Sequence, residues 1–370
     1  MNLHLLYDKK FTKGQIDLFE KHFPNQSLYV ITRAGDVSSL MQYNIMQIEG
    51  ISLSALRSII RQCEETVENV FVYNATDAHC IIALYMKKRF KCKVYWMFFG
   101  SDLYDNLYYR YNYPLIDNER KTIKKYVLDN LKLVKHWPLF RSYASKVDYF
   151  CFWNIYDYEL LKKYVNISAR FKFYTHGEGL PVENKFMNYR TKSNECIVQV
   201  NHSASWDGNH LTVLKKIAEM DPERRLKLLI PLSYGSKSII KEVEEYVTYE
   251  RLNAQILLDF LPMDNYFTLM KKVNSAIYGQ HRQEGGGNIL QAFENGTKVF
   301  LREDNNLLQL YRDWGLKVFC FEKDLNCVDD LITPLSKEDQ ENNYIRIHQA
   351  MSCEKVEESM LHMLENSRND

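Results

Sequence analysis

Glycine, proline and paired cysteines are scarce in this sequence. Its 370 residues include only 14 Gly, 8 Pro and 8 Cys. No two cysteines form a Cys-x-x-Cys pair; they stand at positions 63, 80, 92, 151, 196, 320, 327 and 353. This spacing argues against a zinc site and against a secreted disulfide framework, and it is typical of proteins from a reducing cytoplasm.

Long apolar runs are also missing. No stretch of about 18 apolar residues occurs, so we predict no membrane-spanning helix. The N-terminus, MNLHLLYDKKF, has no basic segment followed by a long apolar one, and we interpret it as the first strand rather than a signal peptide. Hydrophobic residues are nevertheless plentiful at 46%, which argues against global disorder and suffices for two domains.

Short apolar runs alternate with longer amphipathic segments along the chain. The runs predict buried parallel strands at 3–7, 27–32, 69–74, 93–100, 147–153, 170–175, 195–203, 226–235, 254–262, 274–279, 297–301 and 316–322. Helices are predicted between them at 12–22, 53–66, 78–89, 117–135, 208–220, 237–251, 263–273, 287–295 and 305–314. This alternation indicates βαβ units, so the predicted fold class is α/β, with two doubly wound Rossmann-like domains.

A polar stretch at residues 178–194 separates the two halves of this pattern. We therefore predict an N-terminal domain at 1–185 and a C-terminal domain at 186–370. Whether the final helix packs back on the N-terminal domain is left open. The strands of both domains would point their carboxyl ends into a central cleft, where open α/β sheets bind ligands.

Three consecutive glycines, Gly285, Gly286 and Gly287, follow a predicted strand and precede a predicted helix. A glycine loop at such a junction lets backbone N–H groups approach an anion, and the helix dipole adds a favourable field. The guanidinium of Arg282 can form a bidentate pair with phosphate oxygens. The alternative is a plain turn with Asn288 as the helix cap. No Gly-Lys-Ser/Thr follows, so the segment is not a Walker A motif.

A second polar segment, NHSASWDGNHL (201–211), follows the first strand of the C-terminal domain and opens a helix. Ser203, Ser205 and Asn209 are small polar residues at that helix start, and we predict that they face the same ligand as Arg282. The alternative is helix capping by Ser205 or Asp207, and a capped N-terminus would still attract an anion.

Two segments of the N-terminal domain carry candidate catalytic groups. Asp102 in FFGSDLYDN (98–106) follows an apolar strand and is a candidate general base for an acceptor hydroxyl, with helix capping as the alternative. In YTHGEGLP (174–181), His176 or Glu178 could touch a donor or act as the base, and a backbone turn is the alternative.

The motif EGGGNILQAFENGTKVF (284–300) resembles the donor-binding segment of GT-B glycosyltransferases. A more specific resemblance is to the bacterial transferases that use dTDP-4-acetamido-4,6-dideoxygalactose to make enterobacterial common antigen, glycosyltransferase family 56. It is found in YGQHRQEGGGNILQAFENGTKVFLREDNNLLQLYRDWGLKVFCF (278–321), VNHSASWDGNHLTVLKKI (200–217) and YWMFFGSDLY (95–104). By this resemblance, Glu284 matches the first glutamate of the GT-B pattern, beside the donor sugar, and Gly287 matches its glycine. Gln291 takes the place of the second glutamate, the usual ribose anchor.

The resemblance implies the GT-B fold and a metal-independent transferase without a cofactor. It would move a 4-acetamido-4,6-dideoxyhexose or related deoxysugar from a dTDP-sugar to a lipid-linked saccharide in bacterial surface polysaccharide synthesis, as in O-antigen. Arg282 and backbone N–H groups would replace a metal, since no Asp-x-Asp motif lies on a suitable loop. Two alternatives stay open: a nucleotide-sugar epimerase on the same fold, and a non-catalytic protein that binds anionic lipid or nucleic acid.

Charge is unevenly distributed between the two halves. Residues 1–185 carry 26 Lys and Arg against 19 Asp and Glu, whereas residues 186–370 carry 22 against 28. The basic excess is concentrated at 84–146 and indicates either a solvated helix face or an anionic partner. With a lipid-linked acceptor, we expect an anionic membrane surface rather than nucleic acid, and a cytoplasmic protein peripheral to the inner face of the bacterial inner membrane.

Overall fold

The computed structural model describes residues 1–7, 9–32, 37–63, 66–117, 136–177, 179–180, 190 and 195–365. The chain divides into two compact units. The first spans Met1–Tyr113, Lys121–Leu180 and Met351–Asp370, and the second spans Pro114–Arg120 and Pro181–Ala350. The predicted boundary between residues 185 and 186 lies outside the described residues.

The first unit is built on a parallel sheet with the strand order β3-β2-β1-β4-β5-β6-β7. Its strands are β1 (Asn2–Leu6), β2 (Ser27–Ile31), β3 (Ile45–Gln47), β4 (Asn69–Tyr73), β5 (Lys93–Met97), β6 (Tyr149–Phe152) and β7 (Arg170–Phe173). Strands β1, β2 and β6 are buried along their whole length, and β4 and β5 are buried except at their first residue, as their continuous apolar sequence predicts.

Helices alternate with these strands. They are α1 (Lys9–His22), α2 (Leu53–Gln62), α3 (Asp77–Phe90), α4 (Ser101–Tyr111) and α5 (Ile155–Tyr164), with a short 3-10 helix at Ser38–Leu40 and helical residues at 136–144. Side-chain oxygens of Ser52, Thr76 and Asn154 accept backbone N–H bonds at the starts of α2, α3 and α5. These caps satisfy N–H groups that have no partner inside a helix.

The second unit contains a parallel sheet with the order β10-β9-β8-β11-β12-β13. Its strands are β8 (Cys196–Val200), β9 (Leu226–Pro231), β10 (Ala254–Leu257), β11 (Ser275–Tyr278), β12 (Lys298–Leu301) and β13 (Phe319–Cys320). Its helices are α6 (His210–Met220), α7 (Lys237–Tyr249), α8 (Met263–Met270), α9 (Gly286–Glu294), α10 (Asn306–Asp313), α11 (Asp329–Ile332) and α12 (Lys337–Met351).

The last helix, α13 (Cys353–Glu365), belongs to the first unit. Met360 and Met363 lie in that unit's core and are essentially unexposed. Leu180 pairs with Ser352 as an isolated bridge, and a Cβ atom at Gly179 would lie 2.8 Å from the backbone of Cys353. The C-terminal helix therefore completes a core whose other members come from the first half of the chain.

The predicted α/β class with two doubly wound sheets is confirmed, and most predicted strands lie where expected. Five of the helices named above have no predicted counterpart, namely α4, α5, α11, α12 and α13, and neither have the helical residues 136–144 or strand β3. Most of the helix predicted at 117–135 lies outside the described residues, while Asp117 is in a turn. Within the described residues, no helix is both long and apolar enough to cross a bilayer.

Both sheets reverse their winding direction beside their first strand. In the first sheet the reversal lies between β1 and β4, and in the second between β8 and β11. Loops that leave two such strands diverge to opposite faces of the sheet, which opens a crevice at the carboxyl edge. The segments at 201–209 and 279–285 leave β8 and β11, so both predicted donor-binding segments lie at the switch point of the second sheet.

Candidate functional site

A buried asparagine ties together the two loops at the switch point of the second sheet. Asn201 accepts a 2.7 Å hydrogen bond from Gly279 N through Oδ1, and its Nδ2 donates a 2.8 Å bond to Gly208 O. Its backbone φ is 56°, in the left-handed region that asparagine tolerates better than most residues. Asn201 was not among the predicted site residues, although an Asn directly after a buried strand is a turn signal.

Asn209 connects the loop after β11 to residue 117, also through backbone groups. Its Oδ1 accepts a 2.8 Å bond from Asp117 N, and its Nδ2 lies 3.0 Å from the carbonyl oxygen of Gly279. It is also the N-cap of α6, with φ 51° and no side-chain capping bond. The alternative that Ser205 or Asp207 is the N-cap is therefore wrong. Asn209 positions the loops, and its nucleotide-binding role stays a prediction.

The glycine run forms the start of α9 as predicted, with Gly285 as the N-cap. Gly285 has φ 69° and offers no side chain, so no capping bond covers the first N–H groups of α9. A Cβ at Gly285 would lie 2.7 Å from His202 Nδ1, whereas a Cβ at Gly287 would meet nothing within 4 Å. The helix thus begins with an uncapped N-terminus and open space over Gly287. Asn288 lies inside the helix and does not cap it.

Arg282 is buried between two carboxylates. Its Nε donates a 2.5 Å bond to Oδ2 of Asp207, and its NH2 group lies 3.0 Å from Oε2 of Glu284. The Asp207 side chain is only 1% exposed and the Arg282 side chain 9%. Ser205 Oγ donates to Asp207 Oδ1 at 2.5 Å and lies 3.2 Å from Glu284 Oε2. The structure therefore brings the predicted residues Ser205, Arg282 and Glu284 together around an aspartate that prediction treated only as a cap.

Glu284 has an unusual protonation equilibrium in this cluster. Burial raises its pKa to about 7, the charge of Arg282 opposes that rise, and the charge of Asp207 adds to it. Both close bonds to Glu284 use Oε2, while Oε1 is 3.8 Å from His202 Nε2. A carboxyl group with this pKa can be present near neutral pH as the acid or as the anion.

The other predicted donor-site residues lie nearby with different environments. Ser203 is 1% exposed, and its carbonyl oxygen lies 3.0 Å from His210 Nε2. Asn288 Oδ1 accepts a 2.9 Å bond from the hydroxyl of Tyr266 on α8. Gln291 is half-buried on α9. Their part in nucleotide binding stays a prediction.

A second charged cluster, missed in the sequence, lies beside the first. The imidazole of His281 lies 2.8 Å from Asp117 and 2.7 Å from Asp304. Burial alone would lower the pKa of His281, but the two carboxylates raise it to about 9, so the ring is charged. Arg302 binds both oxygens of Asp117, at 2.7 and 3.0 Å, and Nε of Arg302 bonds to Glu322 at 2.5 Å. The charges fix residues 114–117 against the loops after β11 and β12.

Asp102 lies in the first unit, in the first turn of α4, and is 6% exposed. It accepts a 2.6 Å bond from Trp96 Nε1 and longer bonds from the backbone N–H groups of Ala75 and Phe99. Burial raises its pKa to about 6, against the effect of the Trp96 bond. The N-cap of α4 is Gly100, so Asp102 holds neighbouring loops rather than capping the helix. Its role as a general base stays a prediction.

His176 stacks on the Phe99 ring, with centroids 4.1 Å apart, and its Nε2 lies 2.7 Å from Phe98 O. Nε2 therefore carries the proton, and burial lowers the pKa of His176 to about 4. Nδ1 is buried and has no hydrogen-bond partner among the described residues. A neutral ring with a free lone pair has the chemistry of a base. Glu178 lies outside the described residues.

A cavity of about 160 Å³ lies at the switch point of the first sheet. Its lining consists of aromatic, amide and hydroxyl side chains and one leucine, from the ends of β1, β4 and β5 and from α1 and α4: Leu6, Tyr7, Thr12, Gln15, Tyr73, Asn74, Phe99 and Ser101. Such a lining can hydrogen-bond hydroxyl groups and cover an apolar ring face.

Two further predictions, the basic stretch 84–146 and the lack of a metal site, can be compared with the structure only where it describes the chain. In the basic stretch, Lys121, Lys124, Lys125, Lys132 and Lys135 lie outside them. Lys88 and Lys91 are exposed, whereas Lys87 pairs with Asp148 at 2.6 Å. In the part of the chain that the structure describes, no cluster of three or more His, Cys, Asp or Glu residues could hold a metal ion.

Comparison with known proteins identifies the fold. No protein-family model matches the chain. It resembles HepE of Anabaena in complex with UDP-glucose, with a TM-score of 0.64, 11% identity and 99% of each chain covered. A glycosyltransferase from Rickettsia africae gives a TM-score of 0.63 at 14% identity, covering 98% of this chain and 97% of its own. Sucrose-phosphate synthase from Thermosynechococcus elongatus gives 0.69 at 9%, covering 100% and 99%. These likenesses show that the chain has the GT-B fold.

Proposed function

We propose that this chain, with its GT-B fold, is a glycosyltransferase that uses a nucleoside diphosphate sugar. The observation that carries the proposal is the uncapped N-terminus of α9, with Arg282 and Glu284 beside it, at the switch point of the second sheet. Structures similar to this chain were obtained with UDP and with UDP-glucose, which supports a nucleotide donor.

The transferred bond is broken as the diphosphate departs with its negative charge. N–H groups of Gly286 and Gly287, at the positive end of the α9 dipole, would stabilise that charge. Arg282 would add a fixed cation whose orientation is set by Asp207. Because these groups are already held in place, they need little reorganisation during the reaction, which is how fixed dipoles lower a barrier. Within the proposal, no metal ion is required.

The acceptor hydroxyl must lose a proton as it attacks the sugar. Asp102 and His176 are the candidate bases in the first unit. His176 offers a buried lone pair at Nδ1, whereas Asp102 already accepts bonds from Trp96, Ala75 and Phe99. Comparing kcat against pH for H176N and D102N tests the choice, because loss of the base should remove the acidic limb of the profile.

The finer parts of the proposal concern the donor and the acceptor. The resemblance of 284–300 and 200–217 to the family 56 transferases supports dTDP and a 4-acetamido-4,6-dideoxyhexose as the donor, and a lipid-linked saccharide as the acceptor. A thermal-shift panel of dTDP, UDP, GDP and ADP is the first experiment, because a ligand that binds only the native state raises its melting temperature. We expect dTDP to give the largest shift. No shift with any nucleotide would overturn the proposed function.

A second experiment separates transfer from epimerisation on the same fold. The protein is incubated with the dTDP-sugar alone and then with an added lipid-linked acceptor. A transferase leaves the donor sugar's configuration unchanged and releases dTDP when acceptor is present. Conversion of the donor without acceptor would support the epimerase instead.

A lipid-linked acceptor also requires approach to a membrane, and the basic stretch 84–146 supplies cations for it. Each Lys or Arg near an anionic bilayer adds about 1 kcal/mol of attraction, which salt screens. Reversing Lys121, Lys124 and Lys125 to Glu should abolish flotation with anionic vesicles and spare nucleotide affinity. Wild-type protein that ignores anionic vesicles at low salt would contradict peripheral binding.

A further inference from the structure

The cluster around Arg282 has one more carboxylate than it has cations. Arg282 is paired at 2.5 Å with Asp207, which is almost fully buried and keeps its partner. Glu284 is the second carboxylate on the same guanidinium, at 3.0 Å. If all three groups are ionised, the cluster carries a net charge of −1 directly before the first turn of α9.

An anion bound at α9 would face that surplus charge. A nucleoside diphosphate brings two or three negative charges, and like charges at close range in a buried site raise each other's energy by several kcal/mol. Removing Arg282 from Asp207 would not help, because it leaves a buried carboxylate unpaired. Protonation of Glu284 removes the conflict without breaking the Arg282–Asp207 pair.

We propose that the donor site binds a nucleoside diphosphate with Glu284 as the neutral acid, so that binding takes up one proton from solution and Glu284 donates a hydrogen bond through Oε1. Oε2 faces the guanidinium of Arg282 at 3.0 Å, and a proton on that oxygen would be repelled by the cation, which leaves Oε1 to carry it. The inference rests on the proposed function, since it concerns the same site.

The groups facing Glu284 come from three loops. Arg282 precedes Glu284 on its own loop, the loop after β8 carries His202, Ser205 and Asp207, and Tyr234 follows β9. Burial raises the pKa of Glu284 to about 7, so the protein without ligand is poised between the two forms. A further rise in this pKa, to well above 8, on anion binding then completes the protonation of Glu284.

Isothermal titration calorimetry of the full chain with dTDP, and separately with UDP, measures the linkage directly. At pH 8 the terminal phosphate of the probe is fully ionised, because its second pKa is about 6. Binding enthalpies in two buffers of different ionisation enthalpy give the number of protons taken up. We expect a value approaching one, and an association constant that falls up to tenfold for each pH unit above 7.

The variant E284Q mimics the neutral acid and cannot titrate. It should bind the same probe at pH 7 to 8, where the phosphate is almost fully ionised, with no proton uptake and no pH dependence, and about tenfold more tightly than wild type at pH 8. The variant H202Q is the control for the neighbouring imidazole and should keep the uptake. Uptake that survives in E284Q but disappears in H202Q would overturn the assignment, as would folded E284Q that fails to bind.

The two proposals fail in different ways. If neither dTDP nor UDP binds the folded wild-type protein at any pH, the proposed function fails. If either binds at pH 8 with no proton uptake, the nucleotide site stands, and Glu284 enters the complex as the carboxylate, contrary to this inference.

Discussion

The two units have the same winding but different chemistry at the switch point. In the first unit, the switch point holds a cavity lined by neutral aromatic, amide and hydroxyl groups. In the second, the same topological position holds two clusters of buried charges, one around Arg282 and one around His281. Topology therefore fixes where a ligand can bind, and the side chains placed there decide whether it is neutral or anionic.

The buried histidines of the two units differ in whether the imidazole ring is charged. Burial lowers the pKa of His4, His79 and His176 in the first unit to between about 3 and 4, so these rings are neutral. His281 in the second unit is held charged by two carboxylates. His210 is an exception in that unit, with a pKa lowered to about 4 by burial. A charged ring thus depends on its partners and not on its unit.

The largest effect is expected when Arg282, the cation at the switch point of the second sheet, is removed. R282A should weaken dTDP binding by roughly 2–5 kcal/mol, and thymidine binding far less, because a buried charge-assisted contact to phosphate is lost. It should also destabilise the fold by about 3–5 kcal/mol, since Asp207 loses its partner. Calorimetry and chemical denaturation measure the two effects.

Two further variants separate these effects. R282A combined with D207N should recover stability but not dTDP affinity. R312A removes an equal charge from an exposed arginine, 3.7 Å from Asp324, and should change neither. Equal losses for dTDP and thymidine in R282A would contradict its assignment to the phosphate.

Two glycines at the start of α9, the N-cap Gly285 and the helical Gly287, test whether a missing side chain is needed for ligand binding or for stability. G285A places a Cβ against the His202 ring at a φ of 69°, so unfolding free energy should fall by about 1–3 kcal/mol. G287A meets nothing within 4 Å and should leave stability unchanged or raise it by up to about 1 kcal/mol. Yet G287A should weaken dTDP binding about tenfold or more. Unchanged dTDP affinity in G287A would place the phosphates elsewhere.

Alkaline pH should lower the free energy of unfolding of the second unit, because His281 loses its charge. Its folded pKa of about 9 lies above the unfolded value near 6.5, so its stabilisation is complete below pH 6.5 and is lost as pH rises through 9. The loss should be on the order of 2–3 kcal/mol, measured by urea unfolding from pH 6 to 10. H281Q should flatten this slope. The first unit's neutral histidines act in the opposite direction, below pH 6.5, so an unchanged alkaline slope in H281Q would refute the assignment.

The smallest expected effect is that of a chelator. If Arg282 and the α9 N-terminus neutralise the departing diphosphate, EDTA should leave sugar transfer unchanged. The measurement is initial rate before and after EDTA, with added Mg²⁺ or Mn²⁺ as the control. If EDTA abolished activity and a divalent ion restored it, Arg282 and the N-terminus of α9 would not suffice to neutralise the departing diphosphate.

The sequence predicts the backbone elements of the site better than the long-range side-chain pairs within it. A glycine run after an apolar strand marks the start of α9, because only local backbone chemistry is involved. The pairing of Arg282 with Asp207 joins residues 75 positions apart, and His281 with Asp117 joins residues 164 apart. No local pattern encodes such pairs. Asp117 was moreover placed in a helix predicted at 117–135.

The missed elements have local reasons. Helix α4, SDLYDNLYYRY, is rich in tyrosine, which favours strands, so its helical spacing of apolar residues was overlooked. Strand β3 is three residues long and only partly buried, too short for a periodic signal. In both cases the tertiary packing of the first unit decides the structure, and propensity does not.

The return of α13 to the first unit governs the order in which the chain can fold. Lys21 binds Glu357, 336 positions later, and Met360 lies in a core shared with Phe19 and Tyr29. Residues 1–180 leave the ribosome first, and about 170 residues of the second unit must follow before α13 exists. At roughly 5–20 residues per second, that interval lasts about 10–35 s. During this interval the first unit lacks α13, and the apolar face that α13 covers stays exposed. The second unit can therefore fold before the first unit is complete.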